Sequence, residues 1–147
     1  MPRIDFYLLD DPAPNAVALL ACRLTEKAFL LGHSINIQAE SEQQAQALDN
    51  LLWTFKQGSF LPHARHPSSD GNATPILIGH NAEPHTDAQV LINLSADIPA
   101  FYPRFERVAE LVGPGDAARQ QARQRFRVYR DGGCELNTHN LTGAGSS

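Results

Sequence analysis

The chain has 147 residues, 42% hydrophobic and 19% charged, with a formal net charge of -4, a balance that fits one domain with a real core and excludes a disordered polymer. Residues 1–118 hold seven Lys/Arg against fourteen Asp/Glu, whereas residues 119–147 hold five against two. So acidic a body argues against duplex-DNA binding, which needs a broad basic surface. The opening MPRIDFYLLDDP has too short an apolar run for a secretory signal or a membrane span, so a cytoplasmic protein without membrane contact is expected, with Cys22 and Cys134 as reduced thiols.

IDFYLLD (4–10) has the density of a buried strand and is ended by DDPAP. From Asn15 to Leu31, apolar residues recur at steps of three and four (Val17, Leu20, Leu24, Ala28, Leu31), and Gly32 follows as a stop, which predicts a helix. SINIQA (34–39) reads as a second strand. Ser41 with Gln44 three residues on resembles a capping box and opens a helix running to about Phe55. Residues 56–74, rich in Gly, Pro, Ser and Asn, read as a long loop without regular structure. PILIGH (75–80) and QVLINLS (89–95) are short buried strands with the polar loop NAEPHTDA between them. FYPRFERVAELVG (101–113) reads as helical from Pro103, with Phe105, Val108, Leu111 and Val112 on one side. Gly113–Gly115 break it, and Asp116 is placed to N-cap a last helix. The alternation predicts a single α/β domain over 1–141, a Rossmann-like, open, mostly parallel sheet flanked by helices, with 142–147 as a flexible tail.

That fold invites a nucleotide, but LLDDPAPN after the first strand has no glycine and two aspartates, and no P-loop occurs in the sequence. It therefore lacks a phosphate cradle. His63, His66, His80, His85 and Cys134 have no metal-site spacing, and neither cysteine has a paired base, so no metal, cofactor or catalytic constellation is expected. Trp53 and Phe60 are aromatics surplus to the helix face of Leu48, Leu51, Leu52 and Phe55, in the manner of interface anchors.

The sharpest feature is QQARQRFRVYR (120–130) with Arg119 before it, five of twelve basic residues in one stretch. On a helical projection with Arg119 at zero, Arg123, Arg127 and Arg130 fall at about 40°, 80° and 20°, while Phe126 at about 340° joins this row to the apolar face of Ala118, Ala122 and Tyr129. Arg125 lies apart and is expected to add little to a site there. A guanidinium row beside an apolar rim suits an acidic peptide that carries a hydrophobic group, because arginine grips carboxylates with paired hydrogen bonds. Direct contact with single-stranded nucleic acid, through charge plus a stacking ring, is the competing reading. A small nucleotide-dependent enzyme on the same fold is another.

FYLLD, LD-x-x-LW at 48–53 with SFLPH at 59–63, LINLS at 91–95, and AR-x-R-F-x-x-YR followed by G-x-x-LNT together resemble the chi subunit family of the bacterial DNA polymerase III holoenzyme, over nearly the whole chain. The resemblance implies a non-catalytic adaptor that pairs with the psi subunit, through it with the clamp loader, and that binds the acidic, phenylalanine-ended C-terminal tail of the single-stranded-DNA-binding protein, touching DNA mainly indirectly. By matching position it implies Trp53 and Phe60 as psi contacts, and Arg123 with Phe126, Arg119 and Val112 as the tail site. Phe126 stands where the family usually has tyrosine, which keeps the ring and removes a hydroxyl.

Overall fold

The computed structural model describes residues 2–58, 60–65, 75–80 and 89–141. The chain runs β1 (Arg3–Leu9), α1 (Ala16–Leu30), β2 (Ile35–Gln38), α2 (Glu42–Thr54), β3 (His63–Arg65), β4 (Ile76–Gly79), β5 (Val90–Asn93), a 3-10 turn (Tyr102–Arg104), β6 (Arg107–Val112), α3 (Asp116–Asp131) and β7 (Glu135–Leu141). Among the described residues, seven strands form one sheet in the order β3-β4-β2-β5-β6-β1-β7, and every pairing is parallel. The Rossmann-like α/β expectation therefore holds.

Two cores flank the sheet because side chains alternate between its faces. Leu9, Ile35, Ile37, Ile76, Ile78 and Ile92 pack beneath α1 and α2, whereas Ile4, Phe6, Leu91, Val108 and Val112 pack beneath α3 with Ala122 and Tyr129. In α1 the buried side is Ala16, Leu20, Ala21, Cys22 and Thr25. Val17, Leu24 and Ala28 are partly buried against it, but Leu31 is exposed, so the predicted stripe is right for most of the helix and fails at its end. Gly32, at φ 87°, takes the left-handed turn that ends it at no steric cost. The N-terminus of α2 forms as expected: the Gln44 N–H donates to Ser41 Oγ at 3.0 Å, and the Glu40 N–H donates to Gln44 Oε1 at 2.7 Å.

Three expectations are corrected. The segment from Pro103 is not a helix; after one 3-10 turn it becomes β6, hydrogen-bonded between β5 and β1. Both faces of β6 are buried, so period-two alternation is absent from its sequence, and Glu110 in its middle imitates the polar face of a helix. Within 56–74, residues 63–65 form the edge strand β3, held to α2 by Arg65, which donates to Glu42 and to Gln46; residues 66–74 lie outside the described residues. Asp116 is the first residue of α3 and not its cap: Gly115 is the cap, at φ 115°, a conformation that favours glycine. The loop 81–88 and the tail 142–147 also lie outside the described residues. Edge strand β7, paired to β1, goes unpredicted because ELNTHNL is mostly polar.

Candidate functional site

Everything about α3 follows from how it is fastened to the sheet. Glu110 points from β6 towards α3 and is fully buried. Its carboxylate accepts from Arg125 Nε (3.0 Å), Tyr129 Oη (2.5 Å) and Asn93 Nδ2 (3.1 and 3.0 Å). Arg125 Nη1 also donates to the Ala96 carbonyl at 2.9 Å. Complete burial pushes the Glu110 carboxyl above its ordinary range, while the Arg125 charge and the donated hydrogen bonds act in the opposite sense. Arg125 and Tyr129 lie four apart, on one side of the helix, and with that side turned inward the remaining arginines face out.

Arg119, Arg123, Arg127 and Arg130 then line one cleft of about 370 Å³, as the projected stripe requires. Its apolar wall is Phe6 and Leu8 of β1 with Ala122 and Phe126 of α3, and Thr138 of β7 closes it. Phe126 is held against Phe6, ring centroids 5.5 Å apart. Among the described residues, no carboxylate pairs with Arg119, Arg123 or Arg127, whereas Arg130 lies 3.5 Å from Asp131. Arg119 Nε is buried with no hydrogen-bond partner.

Of the residues assigned to this site from the sequence, the structure brings Arg119, Arg123 and Phe126 together around the cleft. Val112 does not line it; it is buried in the core beneath α3, in the cluster that contains Phe126. Arg125 is off the stripe as expected but is a buried structural residue rather than a bystander. Phe6, Leu8 and Thr138 were not anticipated. Phe6 and Leu8 could have been: period two in IDFYLLD puts both on one face.

Trp53 and Phe60 form a separate patch at the C-terminal end of α2. They are 49% and 68% exposed, with ring centroids 5.7 Å apart. Trp53 also rests on His63 at 4.3 Å. His63 is buried, its Nδ1 2.6 Å from the Leu61 carbonyl and its Nε2 3.0 Å from the Asp49 carbonyl, so it supports the patch from below. The patch belongs to the α2–β3 side of the sheet, and the arginine cleft to the opposite face near β7.

Among the described residues, no three His, Cys, Asp or Glu side chains come close enough to hold a metal; His66 and His85 lie outside them. The turn after β1 uses its polar groups internally, with the Asp10 N–H donating to the Leu141 carbonyl and Asp11 Oδ1 accepting from the Ala13 N–H, each at 3.0 Å. Cys22 is buried, and burial pushes its thiol up to about 12 against a smaller opposing effect of Arg23, which suits packing and not nucleophilic attack. No described helix is long and apolar enough to cross a membrane.

The chain is similar in fold to the crystal structure of T4 UvsW, at a TM-score of 0.68 and 9% identity, covering 95% of this chain but only 41% of that one. In sequence it is 39% identical over 141 residues to the DNA polymerase III subunit chi of Pseudomonas aeruginosa, covering 96% of this chain and 98% of the relative. It is 31% identical over 143 residues to that of Escherichia coli, covering 94% and 97%. The family described as DNA polymerase III chi subunit, HolC, matches residues 1–137. With residues 1–137 matched by the family and both relatives aligned over at least 94% of either chain, the chain belongs to the DNA polymerase III chi subunit family.

Proposed function

We propose that the protein is a non-catalytic bridge in the replicative polymerase, with the Trp53/Phe60 patch taking the psi subunit, and through it the clamp loader, while the arginine cleft takes the acidic, phenylalanine-ended C-terminal tail of the single-stranded-DNA-binding protein. The observation that carries this reading is the cleft itself: four guanidinium groups, three of them (Arg119, Arg123, Arg127) without a carboxylate partner among the described residues, flank an apolar wall built on Phe6 and Phe126. A peptide ending in an aromatic side chain and a free carboxylate complements both parts, the ring against the wall and the carboxylate in an arginine fork. Placement of the two surfaces on opposite faces lets both partners bind at once. A second attachment to coated template then raises the effective concentration of the polymerase there without chemistry by this chain.

Fluorescence anisotropy with a labelled tail peptide tests the reading. Binding should weaken as salt rises and disappear when the terminal phenylalanine is removed. An oligonucleotide that displaces the peptide at lower concentration than unlabelled peptide does would instead make the cleft a nucleic-acid site.

A further inference from the structure

A second cleft, of about 240 Å³, opens on the α1 face of the sheet at the N-terminal ends of the strands. It lies away from the arginine cleft and shares no residue with it. Register makes it unusual: Arg3 of β1 and Arg107 of β6 are Cα partners, and the alternation that sends Phe6 and Val108 towards α3 sends both arginines to the α1 face. Parallel neighbours lie about 4.8 Å apart, and like charges placed directly opposite one another destabilise a sheet. Lys27, from the last turns of α1, lines the same cleft.

Three permanent cations, Arg3, Arg107 and Lys27, thus line a cleft that has one carboxylate, Asp5, among its lining residues, with Glu135 at 4.0 Å from Arg3 Nε beside it, in a chain whose net charge is -4. Asp5 is already shared, lying 3.4 Å from Arg3 Nε and 3.1 Å from His139 Nε2. Among the described residues, Arg107 and Lys27 have no acidic partner. His33 adds a buried Nδ1 with no hydrogen-bond partner. Tyr7, stacked on His139 at 4.7 Å, brings a hydroxyl that burial, and then Asp5, keep protonated against the pull of Arg107 and Arg3. Arg107 and Lys27 are exposed, so these converging donors and their excess positive charge are open to an anion from solvent.

We propose that this cleft binds a phosphate monoester, with Arg107 and Lys27 holding the dianion between β6 and α1. The volume suits a phosphate group with a small organic residue and is below that of drug-sized ligand pockets. Arginine's planar fork matches phosphate oxygens in pairs, and lysine adds a point charge. The phosphate can belong to a small metabolite or to the 5′ end of a single-stranded nucleic acid, and the two are distinguished by competition.

The test is thermal unfolding of the intact chain in sodium phosphate and in sodium chloride of equal ionic strength. Phosphate should raise the Tm in a saturable way beyond chloride. Arg107→Ala should weaken phosphate binding by roughly tenfold or more, as loss of a charge-assisted contact requires, and Lys27→Ala should weaken it as well. In the absence of phosphate, Arg107→Ala should melt no lower than the parent, because it removes the like-charge pair. Both variants should keep the parent affinity for the acidic tail peptide, so this proposal and the peptide reading can fail separately. Ribose 5-phosphate competing better than a 5′-phosphorylated oligonucleotide assigns the site to a small metabolite, and the reverse order assigns it to a nucleic-acid end. Equal Tm shifts in phosphate and chloride, a phosphate shift retained by Arg107→Ala, or failure of both competitors would overturn the proposal.

Discussion

Arg125 and Glu110 form an ion pair, Nε to Oε1 at 3.0 Å, with both side chains sealed from solvent. Such a pair is a poor source of net stability when intact, but removing one partner strands the other charge in the interior, at a cost of about 3–5 kcal/mol. Arg125→Ala should therefore lower stability by about that amount in urea or guanidinium unfolding. Arg127→Ala, two residues on and exposed, should stay within about 0.5 kcal/mol of the parent. Arg125 is therefore a poor control for the arginine stripe, because its removal disturbs the packing that presents the stripe.

For the stripe itself the comparison of choice is Arg123→Ala with Arg123→Lys. Loss of the guanidinium should reduce tail-peptide affinity by on the order of 2 kcal/mol. Lysine should recover only part of it, since a point charge does not reproduce paired hydrogen bonds. Anisotropy at two salt concentrations measures both. Equal peptide affinities for the parent, Arg123→Ala and Arg123→Lys would return the stripe to a solvated helix face.

At the other face, Trp53→Ala or Phe60→Ala should prevent co-elution with the psi subunit on a sizing column, because truncating an interface aromatic commonly costs about 2 kcal/mol or more. Both rings are substantially exposed, and the contacts of His63 with Leu61 and Asp49 do not depend on them. The variants should therefore remain folded by circular dichroism and keep the parent affinity for the tail peptide. Variants that unfold would make these rings part of the core.

Cys22 supplies a prediction about pH. Burial pushes its thiol from the ordinary 9.0 up to about 12 in the folded chain. Above pH 9 the unfolded chain releases a proton that the native state keeps, so stability falls as pH rises. Measured between pH 9 and 10, the parent should lose stability more steeply than Cys22→Ala. In the native protein iodoacetamide should label the partly exposed Cys134 and spare Cys22 until denaturant is added.

Sequence alone determined whatever depends on short-range pattern. The Ser41/Gln44 cap, the Gly32 stop and the α/β alternation are local, and so is the azimuth of Arg119, Arg123, Arg127 and Arg130 about the helix axis, since helical geometry fixes it before any packing occurs. The structure then placed those four arginines around one cleft without change. What the sequence could not reveal is which strands are covered on both faces and which residues meet across the sheet. Residues 107–112 form a strand because β1 and β5 pair with them on either side, and 135–141 form one because β1 has a free edge; neither partner is near in sequence. Arg125 and Glu110 look like surface charges in a linear reading, and only the docking of α3 on β6 makes them a buried pair. Arg3 and Arg107, over a hundred positions apart, become neighbours through parallel register alone, because hydrogen bonding between strands is set by tertiary topology and not by local preference.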